Sequence, residues 1–87
     1  MKDRSREFEL LVERADDCGS RWADKILARY RQQDIQPPYD WPGTIAEARC
    51  IVAAFSHRVP PGDRERLAQV ALEAAEWEWY DRQTVAA

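Results

Sequence analysis

Glycine is scarce in this chain, with three among 87 residues, and none of the three opens a glycine-rich loop. Nucleotide binding through a phosphate cradle is thereby excluded. Histidine occurs once, as His57. It has no second ligand at metal spacing on the same helical face, and no Glu-x-x-His pair of the di-iron or di-manganese bundles is present. The two cysteines, Cys18 and Cys50, have neither zinc-site nor redox-pair spacing. They read as buried free thiols. No apolar run approaches the length of a membrane span. The charged stretch from Met1 to Leu11 lacks the continuous apolar region of a signal peptide. A cytoplasmic location is the expectation.

A dominant charge is also missing. Thirteen basic and sixteen acidic side chains leave a formal charge of −3, well mixed along the chain. That balance lacks the clustered basic patch of a general nucleic-acid binder. It is equally too mild to argue for mimicry of DNA. No serine or cysteine stands in a recognisable nucleophile setting. These absences predict a protein that is not an enzyme and needs no metal or cofactor.

What is present is aromatic and helical. The length predicts a single domain over residues 1–87. So short a chain has a marginal core. Four Trp, three Tyr and two Phe enlarge it, and dimerisation is a second way to complete it. The patterning predicts an all-α fold, a three-helix bundle with a long first helix as its spine.

The first helix is expected over Asp3 to Gln33, with Phe8, Leu11, Val12, Ala15, Trp22, Ala23, Ile26 and Tyr30 on one apolar arc. Glu9, Glu13, Asp16, Asp17 and Asp24 lie opposite, and Arg14, Arg21, Lys25 and Arg29 line one edge. Ion pairs at i,i+3 and i,i+4 are expected along it: Asp17 with Arg21, and Asp24 near Arg21 and Arg31. Gly19 interrupts the pattern at a cost of roughly 1 kcal/mol against alanine. The apolar register nevertheless continues across it, which favours one helix, straight or kinked, over two helices capped at Ser20. Gly19 then lets another backbone approach closely.

Pro37, Pro38 and Pro42 bar a helix from Ile35 to Gly43 and make this a semi-rigid crossover. Its Tyr39 and Trp41 either plug one end of the bundle or contact a partner. Thr44 and Glu47 have the spacing of a capping box. They start a second helix that runs to about Arg58, with Ile45, Ala48, Ile51, Val52 and Phe55 as its core stripe. Ala46, Cys50, Ala53 and Ala54 are small enough to admit neighbouring helices. His57 falls at the helix end, where an imidazole suits the dipole. Val59 to Gly62 stops the helix, and Asp63 caps the third.

The third helix, Asp63 to Gln83, is the most informative segment. On a wheel of 100° per residue, Trp77, Val70, Ala74, Leu67, Ala71, Ala75, Ala68, Trp79 and Leu72 fill an arc of about 220°. A surface helix needs an apolar stripe of little more than about 100°. This one must cover two neighbours, or one neighbour and a partner. Glu78 falls inside the apolar arc. Either it is wet at the end of the bundle, or it is paired with Arg49 or across a subunit interface.

Two surfaces are candidates for binding. Trp77, Trp79 and Tyr80 point in three directions, and tryptophan and tyrosine are enriched in binding hot spots. With Leu72 and the Tyr39–Trp41 loop they predict docking of another protein, of a second copy, or of both. The leading expectation is a non-enzymatic adaptor, complex subunit or inhibitor of a larger assembly. Compact acidic inhibitors encoded by mobile elements share this size and balance. The alternative uses the basic stripe of Arg14, Arg21, Lys25 and Arg29 on nucleic acid. The turn before the third helix does not resemble a helix-turn-helix, and that helix is too apolar to read a groove.

Overall fold

The computed structural model describes residues 4–86, with side chains from 6 to 84. Three helices follow one another: α1 over Arg4–Gln32, α2 over Ile45–Ala53 and α3 over Pro61–Ala86. No strand occurs among the described residues. The fold is the expected all-α three-helix bundle with a long first helix. Asp3, the expected start of α1, lies outside the described residues.

α1 passes through Gly19 without a break. The reason is in the contact that Gly19 makes. A methyl group built there would overlap the Ala71 carbonyl oxygen and lie 2.9 Å from its carbon. Ala15, Gly19 and Ala23 are all buried, four residues apart, and form a seam of small side chains against α3. The close approach along that seam offsets the weak helix propensity of glycine.

The end of α1 is closed by a Schellman arrangement. Asp34 adopts φ 55°. Its N–H donates to the Arg31 carbonyl at 3.2 Å, and the Ile35 N–H donates to the Tyr30 carbonyl at 2.9 Å. Two orphan carbonyls are thus satisfied. Aspartate is among the residues that tolerate the left-handed region, although glycine is the usual occupant.

The capping box of α2 forms as expected. The Glu47 N–H donates to Thr44 Oγ1 at 3.2 Å, and the Thr44 N–H donates to Glu47 Oε1 at 3.1 Å. The helix nevertheless ends at Ala53, five residues short of Arg58. Two tight i→i+3 bonds replace the helical pattern: Phe55 N–H to the Val52 carbonyl, and Val59 N–H to the Ser56 carbonyl. Pro60 already bars Val59 from the helical region, and this double turn begins the reversal sooner. It buries Ser56 completely and leaves His57 exposed outside the helix, away from the dipole expected for it. Ala46, Cys50, Ala53 and Ala54 face solvent rather than neighbouring helices. Cys18 is half-buried and Cys50 exposed, both as free thiols.

α3 starts two residues earlier than expected. Pro61 takes its first position and the Pro60 carbonyl accepts from the Arg64 N–H at 3.0 Å. Proline suits that position because its fixed φ is helical and its missing N–H has no partner there anyway. Asp63 therefore sits within the first turn, near the positive end of the helix, and is not the cap.

The wide apolar arc of α3 has two neighbours inside the chain. α3 packs extensively on both α1 and α2, whereas α1 and α2 touch only sparsely. The spine is thus α3 and not α1. Leu67, Ala68 and Ala71 join Ala15, Ala48 and Val52 in one buried cluster. Ala75 and Trp79 join Ala23 and Leu27 in a second.

Arg49 of α2 reaches Glu65 of α3 through two N···O contacts of 2.8 Å. The hydrogen bond from Arg49 holds the Glu65 carboxyl below its usual range. A carboxyl lowered by folding stabilises the fold fully above its unfolded value, about 4.3, and loses that contribution as pH falls through the folded value. Glu65→Gln is therefore expected to melt below the native chain near neutral pH. The difference should shrink as the pH is taken below about 4. A difference that stays constant down to strong acid would show that the charge of this pair contributes nothing.

Candidate partner-binding surfaces

Three of the four tryptophans interlock at one end of the bundle. Trp41, brought in by the crossover, stands edge-on to Trp22 with centroids 4.8 Å apart and to Trp79 at 5.2 Å. Tyr30 meets Trp79 from the α1 side at 6.4 Å. Gly43 makes room for this stack, because a methyl there would lie 2.7 Å from the Trp22 ring. Such edge-to-face pairs contribute beyond the area that they bury.

Trp79 is fully buried in this stack. Its indole Nε1–H donates to the Tyr39 carbonyl at 3.0 Å, and Gln83 Nε2 donates to the same oxygen at 3.1 Å. The expectation that Trp79 faces a partner is therefore corrected: it presents no surface. The cause is the crossover, which folds back over its ring. Trp41 is half-buried, and its backbone N–H donates to the Tyr80 hydroxyl at 3.2 Å. It acts as the plug that one reading assigned to it. Leu72 is half-buried against the first core cluster.

Tyr39 is different. Its ring meets that of Tyr80 at 5.5 Å on the outside of the plug, and Tyr39 remains 73 % exposed. The hydrogen bonds of Tyr39 to α3 are made by its backbone carbonyl. Among the described residues, Trp77 is the most exposed of those with large apolar side chains, at 77 %. It stands on the rim of a groove of about 290 Å³ lined by Asp16 and Ser20 of α1 and by Ala74, Trp77, Glu78 and Asp81 of α3. Nothing from α2 or the crossover lines it. The six expected contact residues thus separate into Trp79 in the core, Trp41, Leu72 and Tyr80 half-buried against it, and Trp77 and Tyr39 exposed.

Glu78 is neither fully wet nor paired with Arg49. Its side chain is 19 % exposed and accepts from Arg82 at 3.2 Å, while Arg82 also reaches Asp24 at 3.4 Å. The hydrogen bond to Glu78, with Asp24 next, raises the Arg82 guanidinium above its usual value. Asp24 was expected near Arg21 and Arg31, but the bundle brings α3 closer to it than its own helical neighbours. Asp16 and Asp81 are surface carboxylates with no ion pair among the described contacts. They were not singled out from the sequence. The usable signal was that Trp77 and Asp81 lie together at the edge of the α3 apolar arc, beyond the alanines that meet α1.

The basic stripe is partly engaged. The Arg14 guanidinium lies over the Phe55 ring at 4.8 Å, and Arg21 pairs with Asp17 at 2.9 Å as the spacing predicts. Lys25 and Arg29 are exposed. Among the described residues, no three of His, Cys, Asp or Glu converge as a metal site, and no helix is long and apolar enough to cross a membrane.

Comparison with protein-family models, with curated proteins and with solved structures yields no match, so the reading of function rests on this chain's own surfaces.

Proposed function

We propose that this chain is a small non-enzymatic protein that acts by binding another protein, as an adaptor, a complex subunit or an inhibitor of a larger assembly. The observation that carries this reading is Trp77. A ring of that size, 77 % exposed beside a groove, costs solvation free energy in the monomer. It contributes nothing to the aromatic stack that uses the other three tryptophans. Exposed aromatic anchors beside concave surface are the usual core of a protein interface. Tyr39 and Tyr80 supply a second aromatic surface around the crossover.

A role on nucleic acid has less support. Arg14 and Arg21 are held by Phe55 and Asp17, which leaves Lys25 and Arg29 to attract phosphate from that stripe.

The test compares the native chain with Trp77→Ala in its source cells. Since the ring is exposed, the variant should keep its helicity and lie within about 0.5 kcal/mol of native stability. A stoichiometric protein partner should co-purify with the native chain and be lost from the variant. The same proteins recovered with both, in the same amounts, would overturn the assignment of Trp77 as the anchor.

A further inference from the structure

The groove beside Trp77 also has a charge. Of its six lining residues, three are carboxylates, Asp16, Glu78 and Asp81, and none is basic. Arg82 offsets part of that charge, through its ion pair with Glu78 and more weakly through Asp81, while Asp16 enters no described ion pair. Ala74 lines the groove with a small side chain, and Ser20 adds a hydroxyl. The groove runs between two long helices, on a side that neither α2 nor the crossover covers.

Resting on the reading of a protein-binding chain, we infer that the occupant of this groove is an arginine-bearing amphipathic helix of another protein. An aromatic face flanked by carboxylates is complementary to a guanidinium. The planar cation stacks on the indole while its N–H groups reach the acidic rim. Lysine gains less, because its ammonium is more strongly hydrated and cannot stack. A groove between two helices accepts a third helix laid along it, with apolar anchors at one-turn spacing. A second copy of this chain fits poorly, because pairing two such faces would bring six carboxylates together around the two indoles. Phosphate backbones are repelled for the same reason.

The probe is a synthetic helix-forming peptide of about four turns, with leucine on one face and arginine on the other. Its twin carries glutamate in place of every arginine. Both are titrated into the full-length, isotopically labelled chain, and the indole N–H signals are followed. The Trp77 signal is identified by its loss in Trp77→Phe. The arginine peptide should move that signal and leave the buried Trp79 signal in place. Trp77→Ala should weaken binding about tenfold or more. Asp16→Asn combined with Asp81→Asn should weaken it by a similar factor while keeping the ring, and raising salt to about 0.5 M should do the same to the native chain.

Equal binding of the glutamate twin, unchanged binding to Trp77→Ala, or no binding of the arginine peptide would each overturn the inference. Its failure is separable from that of the function proposed above. A co-purifying partner lost with Trp77→Ala would sustain protein binding even if the arginine peptide is ignored.

Discussion

Trp79→Ala is expected to remove a large share of the stability of the chain. Truncating a buried tryptophan costs about 3–5 kcal/mol when the cavity cannot collapse. The cavity here is framed by Tyr30, Trp41 and the second core cluster, and both rings rest on Trp79. The indole donor to Tyr39 goes as well, removing about 1 kcal/mol. The carbonyl keeps its second donor, Gln83, and so is not orphaned. A domain of 87 residues has a total stability of about 4–13 kcal/mol. Urea denaturation followed by circular dichroism should show a large loss of midpoint for Trp79→Ala and an intermediate one for Trp79→Phe, which keeps a ring but not the donor. A midpoint for Trp79→Ala within about 1 kcal/mol of native would mean that Trp79 is not core. Trp77→Ala, two residues away, should be nearly silent in the same assay. The contrast matters because a loss of binding in Trp79→Ala would report the fold and not a contact.

Gly19→Ala should destabilise the bundle despite improving helix propensity. Alanine favours a helix interior by about 1 kcal/mol over glycine. The added methyl, however, meets the backbone of Ala71, with the carbonyl carbon at 2.9 Å and Cα at 3.0 Å. Backbone cannot rotate away as a side chain can, so α1 and α3 must separate along their seam. Overpacking of this kind costs about 1–3 kcal/mol, occasionally more. A direct collision with a main-chain carbonyl belongs at the upper end. The net loss is then about 2 kcal/mol, and at about 4–8 °C per kcal/mol for a chain of this size the melting temperature should fall by about 8–16 °C. Gly19→Leu should be worse. Gly62→Ala is the control, since a methyl there meets nothing within 4 Å. A Gly19→Ala variant that melts at or above the native temperature would show that the close approach to Ala71 is not what the glycine is for.

The features legible in the sequence were those set by local chemistry or by period. Thr44 and Glu47 marked the start of α2 because a capping box is complete within four residues. The continuity of α1 through Gly19 was legible because the apolar register survives the glycine, and its close neighbour followed from the missing Cβ. The excess apolar arc of α3 showed that it needed two neighbours, and the fold supplies both. The end of α2 was not legible, because the double turn that closes between Val52 and Val59 and buries Ser56 replaces a stretch whose apolar spacing still reads as helix. The roles of the aromatic residues were not separable either. Trp77 and Trp79 lie two positions apart, about 160° from one another near opposite edges of the apolar arc, and a wheel does not say which edge is covered. What distinguishes them is the crossover: its Trp41 ring and Tyr39 carbonyl reach Trp79 and leave Trp77 outside. That is a long-range fact with no local signature.

The central place of α3 bears on how the chain assembles during its own synthesis. α1 and α2 emerge first, yet they have little surface in common. Neither can bury its apolar side until α3 is made. The short turn between α2 and α3 closes at small entropic cost, so that hairpin has the advantage of proximity. α1 must instead span the crossover and α2 before it docks, and it keeps Phe8, Trp22 and Ile26 solvent-exposed until then. Domains are generally completed in the order in which the ribosome releases them, and apolar surface left waiting is open to aggregation and to chaperones. Here the third helix to emerge is the one on which the earlier two depend.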